Sequence, residues 1–303
     1  MQLASLDLNL LVALRALLEE RNVTRAGQRI GLSQPAASGA LSRLRKHFGD
    51  ELLVRQGNGY ELTPLGESLR IRSASAYRIL DELFASKAEF DPATEEREFL
   101  LFASDYVIAV FGIELARVLS LRAPNIRLRF ANVDPTIVEN PQVALAGVDG
   151  MLMPHGVISG LPSADVYDDE WVCMVADDHP DVGPVLTLED LRRLPWVAYQ
   201  RPYDAPVVRQ IAMLGLEPQI QVSVHSFVLL PEFVAGTRRI ALIQRRLAEK
   251  LRGRAPVRLL PCPFEAVPVK EALWWHPIHD HEPAHMWFRE IAVRIGRGLP
   301  TLQ

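Results

Sequence analysis

Cysteine is scarce in this chain. Its 303 residues include only two, Cys173 and Cys262, which lie far apart and without the spacing of a metal site. This scarcity excludes a disulfide-rich secreted scaffold and favours a reducing compartment. Cys173 lies in the apolar run WVCMVA and Cys262 lies between two prolines. Neither setting is typical of a reactive thiol, so the sequence does not favour redox sensing.

Long apolar runs and a secretory leader are also missing. No stretch reaches the roughly 20 apolar residues that a membrane helix needs. The N-terminus lacks the basic segment and apolar segment of a signal peptide. We therefore expect a cytoplasmic protein that has no membrane partner.

The usual short motifs of enzymes are absent too. The chain contains no GxSxG, no Walker-type loop, no dinucleotide fingerprint and no HExxH. We therefore expect no catalytic residue, no cofactor and no enzymatic activity. The length, with 49% hydrophobic residues, is enough for sizeable cores in two or three domains.

The segment 24–49, TRAGQRIGLSQPAASGALSRLRKHFG, predicts two short helices joined by a tight turn at Gly31. Thr24 is the predicted cap of the first helix and Ser33 that of the second, which ends at Gly49. Ala37, Leu41, Leu44 and Phe48 recur at helical spacing as a predicted buried stripe. Alone, this pattern also fits an ordinary helical hairpin with a solvated polar face.

Positive charge is concentrated around this segment, although the whole chain carries a net charge of −4. Between residues 21 and 55 there are seven Lys or Arg and two acids. Phosphate contacts need such a patch, and Gln and Ser can bond to base edges from a recognition helix. The candidate DNA-binding residues are Thr24, Ser33, Gln34, Pro35, Ser38, Ser42, Arg43, Arg45 and Arg55.

The flanking segments complete a winged arrangement. Residues 6–20 predict an amphipathic helix, and a β-hairpin with its turn at residues 57–59 predicts a wing that carries Arg55. Residues 64–90 predict a long helix with a narrow apolar seam: Leu65, Leu69, Ala76, Ile79 or Leu80, and Leu83. Pairing with the same helix of a second subunit would bury that seam. The alternative is packing on its own C-terminal domain.

Strands and helices alternate after the polar linker 91–97, which predicts an α/β architecture of two lobes. We place lobe I at about 97–165 and 267–303, and lobe II at about 166–266. Ligands in such sheets bind where strands end, in a crevice between lobes. The candidate effector-binding residues at strand ends are Ser104, Asp105, Tyr106, His155, Tyr199, His225, Ser226 and Phe227.

Four histidines, His276, His279, His281 and His285, stand close together in WWHPIHDHEPAH. A zinc site needs convergent ligands, and this run straddles a strand end, a turn and a helix start. We expect no metal site there, and the role of the cluster stays open.

The sequence resembles the LysR-type transcriptional regulators. The resemblance is carried by LDLNLLVAL, NVTRAGQRIGLSQPAAS, LRKHFGDELLVRQG and LTPLGESL over residues 6–66, and more loosely by the rest. SQPAAS, HFGDELLVR and the run from WWH to PAHMWFRE are similar to the branch of nodulation and salicylate-degradation regulators, which implies small, often aromatic inducers.

The resemblance implies a fold and partners. The fold is a winged helix-turn-helix domain (1–63), a dimerisation helix (64–90) and an effector domain (91–303) that is similar to periplasmic solute-binding proteins. The implied partners are double-stranded DNA with an interrupted palindromic operator, a small-molecule inducer, further copies in a homodimer or homotetramer, and RNA polymerase as a further candidate.

By position, the resemblance implies DNA contacts from Gln34, Pro35, Ser38 and Arg55. Many members carry Arg where this chain has Gly39, which implies fewer base contacts and more weight on DNA shape.

The sequence as a whole leaves three hypotheses for the function. The first is a DNA-binding regulator controlled by an aromatic or carboxylate compound, the second a DNA-bending protein indifferent to ligands, and the third an enzyme on the α/β lobes.

Overall fold

The structure, a computed structural model, describes residue 7 and residues 9–56, 59–85, 90–200, 203 and 205–300. The chain divides into two compact units, Met1–Ala88 and Glu89–Gln303. Within the described residues, no helix is long and apolar enough to cross a membrane.

The first unit contains the predicted helices and hairpin in the predicted order. Its elements are α1 (Asn9–Glu20), α2 (Val23–Arg29), α3 (Gln34–Phe48), β1 (Leu53–Gln56), β2 (Gly59–Leu62) and α4 (Pro64–Ala85). The core of this unit contains Leu14, Leu17, Leu18, Leu41, Leu44, Leu52 and Leu53. The apolar stripes predicted on α1 and α3 therefore meet, because helical spacing puts each stripe on one face.

Helix α4 packs against α1, where the Arg15 guanidinium lies 4.5 Å from the centre of the Tyr77 ring. Leu69 packs against the core of this unit, whereas Leu65 is 36% exposed. The side chains of Ile79 and Leu83, further along the predicted seam, lie outside the described residues. The described part of the seam is thus only partly covered within the chain.

The second unit contains two five-stranded sheets. Its strands are β3 (Glu98–Phe102), β4 (Arg127–Ala131), β5 (Gly150–Pro154), β6 (Ser163–Asp169), β7 (Trp171–Ala176), β8 (Pro195–Tyr199), β9 (Gln219–Val224), β10 (Ile240–Gln244), β11 (Val257–Pro261) and β12 (Val269–Trp274). Its helices are α5 (Asp105–Val107), α6 (Ile113–Arg122), α7 (Pro135–Glu139), α8 (Pro141–Leu145), α9 (Leu188–Arg193), α10 (Pro206–Met213), α11 (Leu230–Val234), α12 (Arg245–Lys250) and α13 (Pro283–Arg297). A π-helical turn (Ile108–Gly112) joins α5 to α6, and Pro277–His279 is a 3-10 helix.

The first sheet has the strand order β4-β3-β5-β12-β6, and the second has the order β11-β7-β10-β8-β9. In each sheet three strands run parallel, β4-β3-β5 and β10-β8-β9. The chain passes from the first sheet to the second at Glu170 and returns through residues 262–268. The first lobe is therefore completed by β12, which is distant in sequence from β3–β6, whereas the strands of the second lobe follow one another along the chain.

Strand β6 differs from the expectation. The sequence pattern predicts no strand there and a change of lobe at about residue 166, but β6 pairs with β12 as far as Asp169. Val166 and Tyr167 are both buried, so successive positions of β6 do not alternate between apolar and polar. The period-2 signal on which strand prediction depends is weak in such a strand.

Helix α13 lies very close to β6. A Cβ added to Gly296 would meet the Val166 carbonyl oxygen at 2.1 Å. Further along α13, the Phe288 ring stacks on Phe99 of β3 with centroids 4.2 Å apart. The C-terminal helix is thereby fixed against the first sheet, and only glycine fits at 296.

Candidate functional site

The exposed face of α3 carries most of the predicted DNA-binding side chains. The exposed residues are Ser33, Gln34, Pro35, Ser38, Ser42 and Arg43, and Gly39 is exposed between them. Ser33 caps the helix as predicted, since its Oγ accepts a hydrogen bond from the Ala36 N–H over 3.4 Å. Gly49 ends the helix at a φ of 63°. The helix therefore presents a short polar surface at its N-terminal end.

Close packing of α2 against α3 holds this surface in place. A Cβ on Gly27 would lie 3.0 Å from the Leu32 carbonyl oxygen and 3.2 Å from the Ala37 Cβ. Gly31, in the turn, has a φ of 69°, which disfavours any residue with a Cβ. The turn between the helices is thus tight for steric reasons, as a helix-turn-helix requires.

Thr24 does not cap α2, contrary to the prediction. The helix begins at Val23 and its cap is Asn22, whose side chain accepts a hydrogen bond from the Arg25 N–H over 3.0 Å. Both residue types are good caps, and the choice depends on where the chain leaves α1. Thr24 remains exposed on the first turn of α2.

Arg45 is also placed differently from the other candidates. Its Nε donates to the Glu51 carbonyl over 2.8 Å, and its Nη2 donates to the Leu53 carbonyl over 2.8 Å. These bonds tie the end of α3 to β1, so the guanidinium is occupied within the fold. Arg43, in contrast, is exposed and lies 3.4 Å from one carboxylate oxygen of Asp7.

The predicted wing is present as the antiparallel pair β1 and β2, in which Arg55 faces Tyr60 across the strands. Arg55 is exposed. The turn residues Gly57 and Asn58 lie outside the described residues. Arg55 is therefore an exposed guanidinium on the wing, as the sequence predicts.

A cavity of about 390 Å³ opens between the two sheets of the second unit. Six of the predicted effector residues line it: Ser104, Asp105, Tyr106, Tyr199, His225 and Phe227. They follow the carboxyl ends of the parallel strands β3, β8 and β9, as the crevice rule predicts. Its volume suits a small organic molecule.

Ser226 lies behind the cavity wall and connects the two lobes. Its Oγ donates to Asp105 Oδ2 over 2.7 Å, and the Val228 N–H donates to the same oxygen over 3.1 Å. The ring of Phe227 stacks on Tyr199 with centroids 3.8 Å apart. One side of the cavity is therefore an aromatic wall that is fastened to the first lobe by a carboxylate.

His155 does not reach the cavity, although the sequence placed it there. Its Nε2 pairs with Asp165 Oδ1 at 2.7 Å, and its ring lies 5.1 Å from that of Trp274. It follows β5, which lies next to β12, and the neighbouring β6 supplies Asp165. A surface hydrogen bond therefore holds the imidazole beside β6.

The floor of the cavity contains a buried carboxyl group that the sequence analysis missed. Glu271 on β12 is 1% exposed, and neither of its carboxyl oxygens has a hydrogen-bond partner among the described residues. Burial raises the pKa of this carboxyl well above its usual value, and the nearby charge of Asp169 raises the pKa further. The protonated form is therefore favoured, and it can donate a hydrogen bond.

Two tyrosines and Asp169 surround this floor. The Tyr106 hydroxyl donates to Asp169 Oδ2 over 2.8 Å, while the N–H groups of Glu170 and Arg246 donate to Oδ1. Burial raises the pKa of Tyr106 and of Tyr167 well above 10, so both stay protonated. Gln244, also in the lining, has no hydrogen-bond partner for its Oε1 within the described part of the chain.

Comparison with known proteins decides the family. Residues 8–67 match the model of the bacterial regulatory helix-turn-helix protein, lysR family, and residues 93–295 match the LysR substrate binding domain. This chain belongs to the LysR family of transcriptional regulators. The winged helix-turn-helix and the two-lobed α/β unit are the two parts of that architecture.

Full-length relatives extend the match. The chain is 33% identical over 298 residues to nodulation protein D 2 of Rhizobium leguminosarum bv. phaseoli, covering 97% of this chain and 93% of that protein. A probable transcriptional regulator from Pseudomonas aeruginosa has 30% identity and a TM-score of 0.68, covering 98% of each chain. The LysR-type regulator CbnR, in a structure with its target DNA, shares the fold at 16% identity and a TM-score of 0.67, covering 96% of this chain and 100% of that one.

The described lining of the cavity contains acidic side chains and no basic one other than His225. Three lining residues carry carboxyl groups (Asp105, Asp134 and Glu271), and no Lys or Arg stands among the described lining residues. Further lining residues that strand-end reasoning did not single out are Asn132, Trp171, Tyr203, Gln244 and Glu271.

Two of the four clustered histidines, His279 and His285, belong to a buried polar network, whereas His276 caps the 3-10 helix and His281 is exposed. His285 Nε2 donates to the Asp149 carbonyl over 2.5 Å, and its Nδ1 accepts from Arg289 over 3.1 Å. His279 Nδ1 lies 3.0 Å from Glu282, which also pairs with Arg97. The described residues include no group of three metal-ligating side chains.

Burial accounts for the ionisation states in this network. Desolvation lowers the pKa of His285 from 6.5 to about 3, so the imidazole is neutral. The His279 and Arg97 partners outweigh the desolvation of Glu282 and lower its pKa to about 2. The network therefore holds a neutral imidazole and an ionised carboxylate at the N-terminal end of α13.

Proposed function

We propose that this LysR-family regulator binds specific DNA through α3 and the wing, under the control of a small aromatic compound held in the cavity of the second unit. The observation that carries the proposal is that six of the effector residues predicted at strand ends line one cavity. Ligand binding would shift the population between lobe arrangements, and each arrangement would hold operator DNA differently.

The DNA contacts are assigned by exposure and chemistry. Gln34 and Ser38 on the exposed face of α3 can meet base edges. Arg43 and Arg55 are exposed cations that can neutralise phosphates. Arg45 acts within the fold, because its donors are bound to backbone carbonyls of residues 51 and 53.

The ligand is assigned by the lining. The rings of Tyr199 and Phe227 stack with centroids 3.8 Å apart and form an aromatic wall. The centroid of the Tyr106 ring lies 6.1 Å from that of Phe227. Carboxyl groups without a compensating Lys or Arg in the described lining disfavour an anion. An uncharged aromatic compound with hydroxyl or amide groups therefore fits better than a carboxylate.

The proposal also assigns an oligomeric state to the protein and a role to each part of the chain. Residues 1–63 bind DNA, residues 64–90 pair with the same helix of a second subunit, and residues 91–303 bind the effector. Leu65 and Ile71 are 36% and 38% exposed on α4, which supports burial by another copy. We expect a homodimer or homotetramer in the cytoplasm that acts on an interrupted palindromic operator and on RNA polymerase.

Footprinting on the DNA upstream of the gene tests both halves of the proposal. We expect protection of two half-sites, and a shift in protection with at least one compound from a panel of uncharged and carboxylated aromatics. Protection that no compound changes would contradict ligand control but leave DNA binding intact. No protection at all would contradict the assignment of α3.

Matched variants sharpen this test. Arg55→Ala should weaken binding to all sequences and reduce the salt slope of log affinity by about one, whereas Arg122→Ala, an exposed position of the second unit, should change neither. Phe227→Ala should abolish the ligand-induced shift while keeping the ligand-free footprint. Loss of the ligand-free footprint in Phe227→Ala would argue against a separate effector site.

A further inference from the structure

The two cysteines, 89 residues apart in the chain, lie side by side. Cys173 Sγ is 3.9 Å from Cys262 Sγ. Cys173 is in β7, opposite Leu260 of β11, and Cys262 follows the last residue of β11. No local sequence pattern indicates this contact, because each cysteine taken alone has an unreactive setting.

The pair occupies the place where the two connections between the lobes meet. The first connection reaches the second sheet at Trp171, and the second leaves that sheet at Cys262. Cys262 Sγ donates to the Trp171 carbonyl at 3.4 Å. Trp171 also lines the cavity, so this junction is adjacent to the candidate effector site.

The two thiols differ in access and in acidity. Cys173 is 1% exposed, whereas Cys262 is half-buried. A hydrogen bond from Cys173 and the charge of Arg245 lower the pKa of the Cys262 thiol, and the same pairing raises the pKa of Cys173. A half-buried thiol of lowered pKa beside a second, fully buried thiol is the arrangement of an attacking and a resolving cysteine.

We propose that Cys173 and Cys262 form a reversible disulfide that fastens the two inter-lobe connections together when the protein meets a peroxide. The Cys262 thiolate attacks one peroxide oxygen, the O–O bond breaks, and hydroxide leaves. Cys173 then attacks the sulfur of the Cys262 sulfenic acid, and its proton leaves with the displaced hydroxide as water. Two thiols are oxidised and one hydrogen peroxide is reduced to two waters.

The movement required is small. A disulfide bond is about 2.05 Å long, so the sulfurs must approach by roughly 1.9 Å. Residues 262–268 lie outside the strands, so this segment can supply the shift together with side-chain rotation. Any thiol reductant reverses the bond by exchange.

The test uses the full-length reduced protein, graded hydrogen peroxide, and alkylation followed by peptide mass spectrometry without reductant. We expect the peptides of Cys173 and Cys262 to be joined, with the loss of two hydrogens, and to separate after dithiothreitol. Backbone hydrogen exchange in 262–268 should slow in the oxidised form. Sulfinic acid at Cys262 with Cys173 still alkylated, or dimers cross-linked through Cys262, would overturn the proposal.

Two variants separate the roles of the thiols. In Cys173→Ala, which keeps a small apolar side chain in the core, Cys262 should accumulate as sulfenic acid that a dione probe traps. In Cys262→Ser, Cys173 should stay reduced at the same peroxide concentration. Oxidation of Cys173 in that variant would overturn the assigned order of attack. Backbone hydrogen exchange in 262–268 that stays unchanged when the wild type is oxidised would overturn the claim that the disulfide joins the two inter-lobe connections.

Discussion

The Ser226 hydroxyl donates a hydrogen bond to Asp105 Oδ2 over 2.7 Å, although the two residues belong to different sheets and are 121 positions apart. The Val228 N–H joins the same oxygen over 3.1 Å. Because Asp105 begins the short helix after β3, this carboxylate connects the first lobe to the aromatic wall around Phe227. When the lobes move relative to one another, these two hydrogen bonds must either break or keep the Asp105 carboxylate and the segment around Phe227 together.

Asp105→Asn should loosen this connection. Hydrogen bonds to a charged group contribute about 1.5–3 kcal/mol each, so we expect a loss of about 1–3 kcal/mol in the free energy of unfolding of the second unit, measured in urea. Asp165→Asn, at an exposed contact with His155 in the same unit, should change this free energy by less than about 0.5 kcal/mol. Equal effects of the two variants would show that the Asp105 bonds contribute nothing specific.

Glu271→Gln should stabilise the protein increasingly as pH rises. The folded state raises the pKa of Glu271, so above the unfolded value of 4.5 only the unfolded chain loses this proton. The free energy of unfolding of the wild type therefore falls as pH rises, and the uncharged amide of Glu271→Gln removes this fall. We expect a larger gain in melting temperature at pH 8 than at pH 5. A gain of equal size at both pH values, or a gain in the exposed control Glu265→Gln, would contradict this.

His285→Gln should flatten the acid side of the stability profile. The folded pKa of about 3 lies below the unfolded 6.5, so the unfolded chain binds a proton first and stability falls as pH drops through this window. Between pH 6.5 and 4.5 this accounts for about 2–3 kcal/mol, which urea titrations of variant and wild type should show as a difference in slope. Glu282 adds its own loss only below 4.5, towards its pKa of about 2. Parallel profiles would contradict the neutral, buried imidazole.

Gly296→Ala should strongly destabilise the second unit. The new Cβ would lie 2.1 Å from the Val166 carbonyl oxygen, and neither α13 nor β6 can yield without disturbing the core. We expect a loss above about 3 kcal/mol, or failure to fold, as judged by circular dichroism. Gly298→Ala, where the nearest backbone oxygens are 3.4 Å away, is the matched control and should change stability little. A well-folded Gly296→Ala would contradict this packing.

The amino-acid sequence by itself determined the local features. Helix α3 begins after Ser33 and ends at Gly49, as predicted. A helix cap depends only on residues at most four positions away, so the local sequence is enough to predict it. The effector candidates after β3, β8 and β9 also met, because the carboxyl ends of parallel strands share one edge. The domain boundaries and the DNA contacts stay predictions.

Tertiary structure alone decided the rest. Trp171 and Glu271 reach the cavity from β7 and β12, which run antiparallel to their neighbours, so a rule about strand ends could not find them. Arg45 and His155 are held away from the predicted sites by partners on other elements, Leu53 of β1 and Asp165 of β6. The Cys173–Cys262 contact closes 89 residues of chain through the pairing of β7 with β11. Such contacts depend on sheet order and register, which no local sequence pattern encodes.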